Sequence, residues 1–175
     1  MLKPGETGAS GFAGKTPILS VVGNSGSGKT VFLEKLIPEL KSRGLRLGII
    51  KNDVHGFDID VPGKDSWRLT RAGADITAIA SPQKLAVIEQ WQEKESLEQI
   101  ANRLANVDLV LTEGFRTAGA PKIEIRRAAC GHDPIFGPDQ LFAVVSDSAP
   151  ADDSVPWFPL DDPCPLAGFI MEYIH

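Results

Sequence analysis

Residues 23–30 read GNSGSGKT and fit the pattern G-x-x-x-x-G-K-[ST] at every position. The segment follows a short apolar run, residues 18–22, and precedes apolar residues at helical spacing over residues 31–40. In a loop of this kind the glycines let backbone N–H groups close around phosphate oxygens, and the N-terminus of the next helix adds partial positive charge. A strand, a glycine-rich loop and a helix in this order therefore predict a site for a nucleoside triphosphate.

We expect every residue of the loop to contact the nucleotide: Gly23, Asn24, Ser25, Gly26, Ser27, Gly28, Lys29 and Thr30. Lys29 would reach the β- and γ-phosphates and act in catalysis, and the Thr30 hydroxyl would ligate Mg²⁺. The alternative is a glycine-rich turn that binds nothing. The strand before the loop and the helix after it argue against that alternative, because a phosphate site needs both.

The composition narrows the class of protein. The chain has 175 residues, which suits one domain with a sizeable core, and 42% of them are hydrophobic. No apolar run approaches the ~18 residues of a membrane span, so we expect no membrane partner. The formal net charge of −5 argues against a general nucleic-acid surface. We expect residues 1–16 to be a flexible extension and residues 17–175 to be a single nucleotide-binding domain.

The two cysteines, Cys130 and Cys164, form no C-x-x-C pair and share no metal-ligand spacing. A disulfide between them is compatible with the sequence, but a nucleotide-binding protein belongs in the reducing cytoplasm. We therefore expect a cytoplasmic protein with two free thiols.

Strand and helix patterns alternate after the loop, which predicts a three-layer α/β sandwich on a mostly parallel sheet, the P-loop NTPase fold. We expect strands at residues 45–50, 109–112, 123–125 and 141–145, and helices at residues 65–72, 97–105 and 166–174. The first helix contains Pro38, which predicts a kink, and is expected to end near Gly44. Two short runs, residues 76–80 and 84–89, flank a Ser-Pro-Gln turn and predict a β-hairpin extension.

A phosphate-binding loop needs an acidic partner for Mg²⁺ and water at the end of a neighbouring buried strand. Glu113 ends the apolar run of residues 109–112, whereas Asp108 lies at the other end of that strand. Sheets of α/β proteins bind ligands at the carboxyl ends of their strands, so we favour Glu113 as a catalytic and metal-binding residue over a surface carboxylate. Asp60, in the polar loop after the second strand, is a second candidate for both roles. Asp58 in the same loop suits a solvated surface charge equally well.

The sequence indicates less clearly which nucleotide base the site selects. Asp147 comes just after a late strand, where its carboxylate could accept hydrogen bonds from the N1–H and the N2 amine of guanine, which adenine lacks. A turn-capping aspartate explains the position equally well. Lys51 ends the second strand and either faces the phosphates or lies in solvent. Arg116 is a candidate phosphate contact for a second substrate, as are Arg68 and Arg71, for which helix-surface ion pairs are the default.

Together these features resemble the molybdopterin-guanine dinucleotide biosynthesis protein B family, MobB, over nearly all of the chain from Pro17. Beyond the loop, the segments that carry the resemblance are FDIDVPGKDS at residues 57–66, AGA at 72–74, LTEGF at 111–115 and PKIE at 121–124. The loop alone names only a vast superfamily, whereas the D-x-D-x-P-G-K-D-S block and the E-G-F are much more specific.

The resemblance implies a GTP-binding protein with weak, Mg²⁺-dependent GTPase activity, assisting a separate guanylyltransferase that joins GMP to molybdopterin. It also implies a homodimer paired through a β-extension, for which the predicted hairpin is the candidate. By position it assigns Asp60 and Glu113 to the metal or water environment. Relatives usually carry a segment resembling K-H-x-H-H after the second strand, and this chain keeps Lys51 and His55 of it. A histidine role in metal or substrate binding is therefore weakened here.

Three other functions compete with this one. A small-molecule kinase using ATP or GTP would show rapid, substrate-dependent turnover and usually an arginine-rich lid, which the sequence lacks. A metallochaperone-type GTPase tends to carry histidine-rich tracts or paired ligands, and the three histidines of this chain offer little. A binding module with an inactive loop is least favoured, because Lys29, Thr30 and Glu113 are all present.

Overall fold

The computed structural model describes residues 15–130, 134–150 and 153–175. The predicted extension, residues 1–16, therefore lies outside the described residues apart from its last two. The described residues form two compact units, one made of residues 15–52 and the described part of 97–175, and the other of Asp53–Ser96. The single domain predicted for residues 17–175 stays a prediction.

Helices and strands alternate along the described chain. They are β1 (Ile18–Gly23), α1 (Lys29–Ser42), β2 (Leu47–Lys51), α2 (Asp65–Arg71), β3 (Ile76–Ala80), β4 (Leu85–Glu89), α3 (Leu97–Ala101), β5 (Leu109–Glu113), β6 (Lys122–Arg126), β7 (Leu141–Ser146), β8 (Trp157–Pro159) and α4 (Cys164–Ile174). The larger unit holds all of these except α2, β3 and β4. Within the residues that the structure describes, every helix falls short of the length and apolarity that crossing a membrane requires.

A six-stranded sheet in the order β2-β5-β1-β6-β7-β8 forms the centre of the larger unit. Every neighbouring pair is parallel, so the carboxyl ends of its strands meet at one edge. β1, which leads into the glycine-rich loop, lies between β5 and β6 and is buried from Leu19 onward. Strands of a parallel sheet that is covered on both faces are continuous apolar runs, which is why their patterns predict strands so directly.

α1 and α4 cover one face of the sheet. Phe32 of α1 and Ile170 of α4 belong to one buried core, together with Leu109 of β5. α3 lies on a second, smaller core, where Leu97 packs with Val110 of β5. Alternate residues of a strand face opposite ways, so the two cores lie on opposite faces of the sheet. The predicted three-layer α/β fold on a mostly parallel sheet is confirmed.

The predicted strands and the hairpin are confirmed, with ends shifted by one or two residues. α1 continues through Pro38, and Gly44 follows its end with a φ of 93°. The kink predicted at Pro38 stays a prediction. α3 is shorter than predicted: it ends at Ala101, whose carbonyl accepts the Leu104 N–H in the tighter i to i+3 pattern. β8 was not predicted, because three residues give no periodicity to detect.

The smaller unit consists of α2 and the antiparallel hairpin of β3 and β4. The Ser81 N–H donates to the Lys84 carbonyl at 2.8 Å and closes the hairpin turn. α2 packs on β3, and the Thr70 hydroxyl donates to that of Thr77 at 2.8 Å. Isolated two-stranded sheets are marginally stable in water. Several apolar side chains of this one are exposed: Ile76, Ile79, Leu85 and Val87.

Candidate nucleotide site

The loop of residues 24–28 joins the carboxyl end of β1 to the N-terminus of α1. α1 begins at Lys29, and Gly28 before it has a φ of 92°, which favours glycine. Among the described residues, no side chain caps α1, and its first turn carries no acidic residue. The first N–H groups of the helix therefore keep their hydrogen-bonding capacity and partial positive charge for an anion.

Gly23, the first residue of the pattern, lies where a larger residue does not fit. Its φ is 151°, and a Cβ built on it would lie 2.5 Å from the Ile125 carbonyl oxygen of β6 and 2.7 Å from Ser27 Oγ. Ser27 itself is buried inside the loop. The loop approaches β6 closely because position 23 has no side chain.

The Lys29 ammonium folds back over the loop. It donates hydrogen bonds to the carbonyl oxygens of Gly23, at 3.2 Å, and Asn24, at 2.8 Å. Burial lowers the pKa of this ammonium below its ordinary 10.5. The Glu113 carboxylate opposes that lowering of the pKa, and the Arg116 guanidinium reinforces it. The charges of Lys29, Arg116 and Glu113 therefore lie close enough together at this loop to interact.

Thr30 and Glu113 meet at the carboxyl edge of the sheet. The Thr30 hydroxyl lies 2.9 Å from each carboxylate oxygen of Glu113. Glu113 ends β5, and its pairing with Val21 places that end beside β1, next to the loop. In the part of the chain that the structure describes, no group of three or more acidic, histidine or cysteine side chains is placed to hold a metal. A hydroxyl and one carboxylate suit Mg²⁺, which prefers oxygen ligands and keeps several waters and phosphate oxygens.

A tight turn after β5 brings a further residue to the loop. Gly114 and Phe115 both have positive φ, 98° and 55°, and the second is unusual for a residue with a side chain. The Gly114 N–H donates to the Val21 carbonyl at 2.9 Å, which ties the turn to β1. Arg116 then extends to the loop and donates a hydrogen bond to the Gly23 carbonyl. The sequence suggested Arg116 for a second substrate, and no local pattern indicates this contact.

A cavity of about 510 Å³ opens beside the first two turns of α1. Its wall includes Gly28, Lys35, Arg127, Asp147 and Trp157. Asp147 follows β7, and its carboxylate accepts a hydrogen bond from the Ala128 N–H at 3.0 Å, so the aspartate caps a turn and also lines the cavity. Trp157 of β8 donates its Nε1–H to Ser146 Oγ at 2.8 Å, which orients the ring. Sequence analysis missed Trp157 because the strand that positions it was not predicted.

Three other candidate residues belong to the smaller unit. Asp60 Oδ1 accepts hydrogen bonds from the Val61 N–H at 2.8 Å and from the Ser66 hydroxyl at 3.0 Å. Asp58 and His55 are exposed. The metal or water role of Asp60 stays a prediction, since these contacts show how the carboxylate shapes its own loop.

The other three basic residues that the sequence suggested as phosphate contacts make local helix contacts or lie at a strand end. Arg68 lies 3.7 Å from Asp65 in an exposed ion pair, and Arg71 lies 5.3 Å from the centre of the Trp67 ring. Arg68 therefore forms the helix-surface ion pair expected by default, whereas the contact of Arg71 is with an aromatic ring of its own helix. Lys51 is exposed at the end of β2, beside Glu113 in the sheet register. Both cysteines are free thiols, as predicted.

Comparison with known proteins agrees with this geometry. The family model for molybdopterin guanine dinucleotide synthesis protein B matches residues 18–147. A molybdopterin-guanine dinucleotide biosynthesis adapter protein from Escherichia coli strain K12 is 39% identical over 172 residues, which cover 94% of this chain and 98% of that protein. The adapter protein of the same name from Haemophilus influenzae is 34% identical over 161 residues, with 91% and 90% covered. The crystal structure of a molybdopterin-guanine biosynthesis protein B superposes with a TM-score of 0.68 at 35% identity, over 89% of this chain and 99% of that one. The chain therefore belongs to the molybdopterin guanine dinucleotide synthesis protein B family.

Proposed function

We propose that this chain is a GTP-binding accessory protein of molybdenum-cofactor biosynthesis in the cytoplasm. It binds GTP with Mg²⁺, hydrolyses it slowly, and assists a separate guanylyltransferase that makes molybdopterin guanine dinucleotide. The observation that carries the nucleotide part is the contact of Thr30 with Glu113, beside Lys29 on the glycine-rich loop. The relatives in Escherichia coli and Haemophilus influenzae, named as adapter proteins of this biosynthesis, support the cofactor part.

The triphosphate would lie on the N-terminus of α1. Backbone N–H groups of the loop would bind its oxygens, and Lys29 would exchange its carbonyl acceptors for phosphate oxygens. Thr30 and Glu113 would hold Mg²⁺, which when bound neutralises charge on the phosphates. Glu113 would also orient water. The family resemblance supports a metal or water role for Asp60.

The guanine base would enter the cavity beside α1. Asp147 lines this cavity, and its carboxylate has lone pairs for the N1–H and the N2 amine of guanine as well as for the Ala128 N–H. Trp157 lines the same cavity and is 37% exposed, so part of its ring is accessible for contact with a base. The carboxylate supports GTP over ATP, because adenine lacks the two donors that it would accept from, whereas the ring would contact either base.

A homodimer paired through the hairpin of the smaller unit belongs to the same proposal. Ile76, Leu85 and Val87 of this hairpin are 58%, 66% and 57% exposed. Contiguous apolar surface of this kind marks an interaction site in a stable protein. A second copy of the hairpin would bury these side chains, as the β-extension of the family implies.

Calorimetric titration with Mg²⁺ and non-hydrolysable analogues of GTP and ATP tests the proposal, on the wild type and on Lys29→Ala. We expect a clear preference for the GTP analogue and loss of binding in the variant, because the ammonium is the phosphate contact of the loop. Equal binding of the two analogues would contradict the guanine assignment. Preference for ATP, with rapid turnover stimulated by a small metabolite, would favour the kinase alternative.

A further inference from the structure

Arg116 lies at the phosphate loop, and the proposed function leaves its charge without a role. Its guanidinium donates to the Gly23 carbonyl, the same oxygen that accepts from the Lys29 ammonium. Two turn residues separate Arg116 from Glu113 in the sequence. One short segment therefore presents both a carboxylate that fits Mg²⁺ and a cation.

The two cations at this oxygen repel each other. The Lys29 ammonium and the Arg116 guanidinium donate to one carbonyl oxygen, so the two charges lie close enough to interact. Within the described ranges, no salt bridge joins Arg116 to a carboxylate. A multivalent anion that contacts both cations would remove this repulsion, and a nucleotide triphosphate is such an anion.

The backbone that aims Arg116 is strained. Phe115 has a φ of 55°, in the left-handed region that residues other than glycine, asparagine and aspartate rarely adopt. Strain of this kind persists where the surrounding structure fixes it, and it concentrates at ligand sites. Here the Gly114 N–H fixes the turn by donating to the Val21 carbonyl at 2.9 Å. The direction of Arg116 toward the loop is thus set by the fold.

We propose that Arg116 contacts the terminal phosphate of the bound nucleotide and stabilises the charge that moves during hydrolysis. This inference rests on the proposed nucleotide site. In the reaction a water oxygen bonds to the γ-phosphorus while the bond from that phosphorus to the bridging oxygen breaks, and the electrons of the broken bond stay on GDP. One water proton stays on inorganic phosphate, the other is released to solvent, and Arg116 keeps its own protons throughout. An arginine supplied by the same chain gives slower hydrolysis than one supplied by an activating partner, which agrees with a slow GTPase.

Paired affinity and rate measurements on Arg116→Gln and Arg116→Lys test this role, with Arg46→Gln as the control. Arg46 is exposed and its backbone N–H, not its guanidinium, bonds Asp108. Calorimetry gives the affinities for a non-hydrolysable GTP analogue and for GDP, and rapid quench gives single-turnover hydrolysis. For Arg116→Gln we expect the analogue affinity to fall about tenfold, GDP affinity to change less than about twofold, and the rate to fall on the order of 100-fold. Arg116→Lys should retain part of the rate, and Arg46→Gln should match the wild type.

Equal losses of GTP-analogue and GDP affinity in both Arg116 variants would show that Arg116 merely shapes the loop, and would overturn the inference. An unchanged rate and unchanged affinities would overturn it as well. In either case a wild type that binds and hydrolyses GTP leaves the proposed function standing. A wild type that binds no nucleotide refutes the proposed function and this inference together. Circular dichroism checks that the variants fold, and Arg116→Lys carries the test if Arg116→Gln does not fold.

Discussion

Thr30 and Glu113 lie 83 positions apart in the chain, yet the hydroxyl of the first is 2.9 Å from both carboxylate oxygens of the second. The sheet brings them together, because β1 and β5 are parallel neighbours that end at the same edge. One strand leads into the glycine-rich loop and the other ends in the carboxylate. The metal site proposed here therefore depends on strand order as much as on the residues themselves.

The first prediction concerns that carboxylate. Glu113→Gln should weaken Mg²⁺-dependent binding of a GTP analogue by about tenfold or more, ~1.4 kcal/mol, because a neutral amide is a poor Mg²⁺ ligand. Binding measured in EDTA should change much less. Asp108→Asn is the matched control, since Asp108 lies just before the other end of β5 and its carboxylate accepts the Arg46 N–H at 2.7 Å. An unaltered Mg²⁺ dependence in Glu113→Gln would remove Glu113 from the metal site.

The second prediction concerns the pKa of Lys29. We expect this ammonium to titrate below 10.5, because burial disfavours its charged form. Glu113→Gln should lower the pKa of Lys29 further, and Arg116→Gln should raise it, since the carboxylate favours the ammonium and the guanidinium opposes it. NMR titration of ¹³C-labelled lysine, assigned with Lys29→Ala, measures each value. The folded chain releases this proton at a lower pH than the unfolded chain, whose lysine has a pKa of 10.5. Charged Lys29 therefore destabilises the fold below the folded pKa, and this destabilisation is lost as pH rises from the folded pKa to 10.5. Shifts of the wrong sign in the two variants would show that the three groups do not lie as described.

The third prediction concerns the loop backbone. Gly23→Ala should destabilise the protein by roughly 1–3 kcal/mol and abolish nucleotide binding, because the new Cβ would meet the Ile125 carbonyl oxygen. Urea unfolding measures the first effect and calorimetry the second. Gly119→Ala is the control, since nothing lies within 4 Å of a Cβ built there. Normal stability and normal binding in Gly23→Ala would contradict the close approach of the loop to β6.

The fourth prediction concerns base selection. Asp147→Asn keeps an oxygen for the Ala128 N–H but replaces the other acceptor with a donor. GTP affinity should fall about tenfold, and xanthosine triphosphate affinity should rise, because xanthine presents a carbonyl where guanine presents its amine. Competition binding with the two nucleotides gives the ratio. If the ratio does not change, Asp147 serves as a turn cap alone.

The fifth prediction concerns association through the hairpin. Val87→Asp places a charge on the exposed apolar face of β4 and should weaken the homodimer at least tenfold. Sedimentation velocity over a concentration series measures the dissociation constant. Gln83→Asp adds the same charge in the turn of the hairpin and should leave the dimer intact. A wild type that is monomeric at every concentration would refute the homodimer.

Sequence alone predicts those parts of the site that depend on local patterns. The loop and Glu113 follow from a motif and from an apolar strand, and both lie where the sequence placed them. Arg116 and Trp157 depend on tertiary structure: the first on a turn with positive φ, the second on the pairing of β8 with β7. The predicted end of α3 was wrong because the apolar stripe continues to Leu104, whereas the backbone changes to a tighter turn after Ala101.

The shortness of β8 affects how the protein associates with other chains. β8 is an edge strand of only three residues. Pro156 precedes it and Pro159 is its last residue. Proline has no N–H to donate, and short edge strands with proline resist pairing with the strands of other molecules. This border of the sheet is therefore protected against edge-to-edge aggregation.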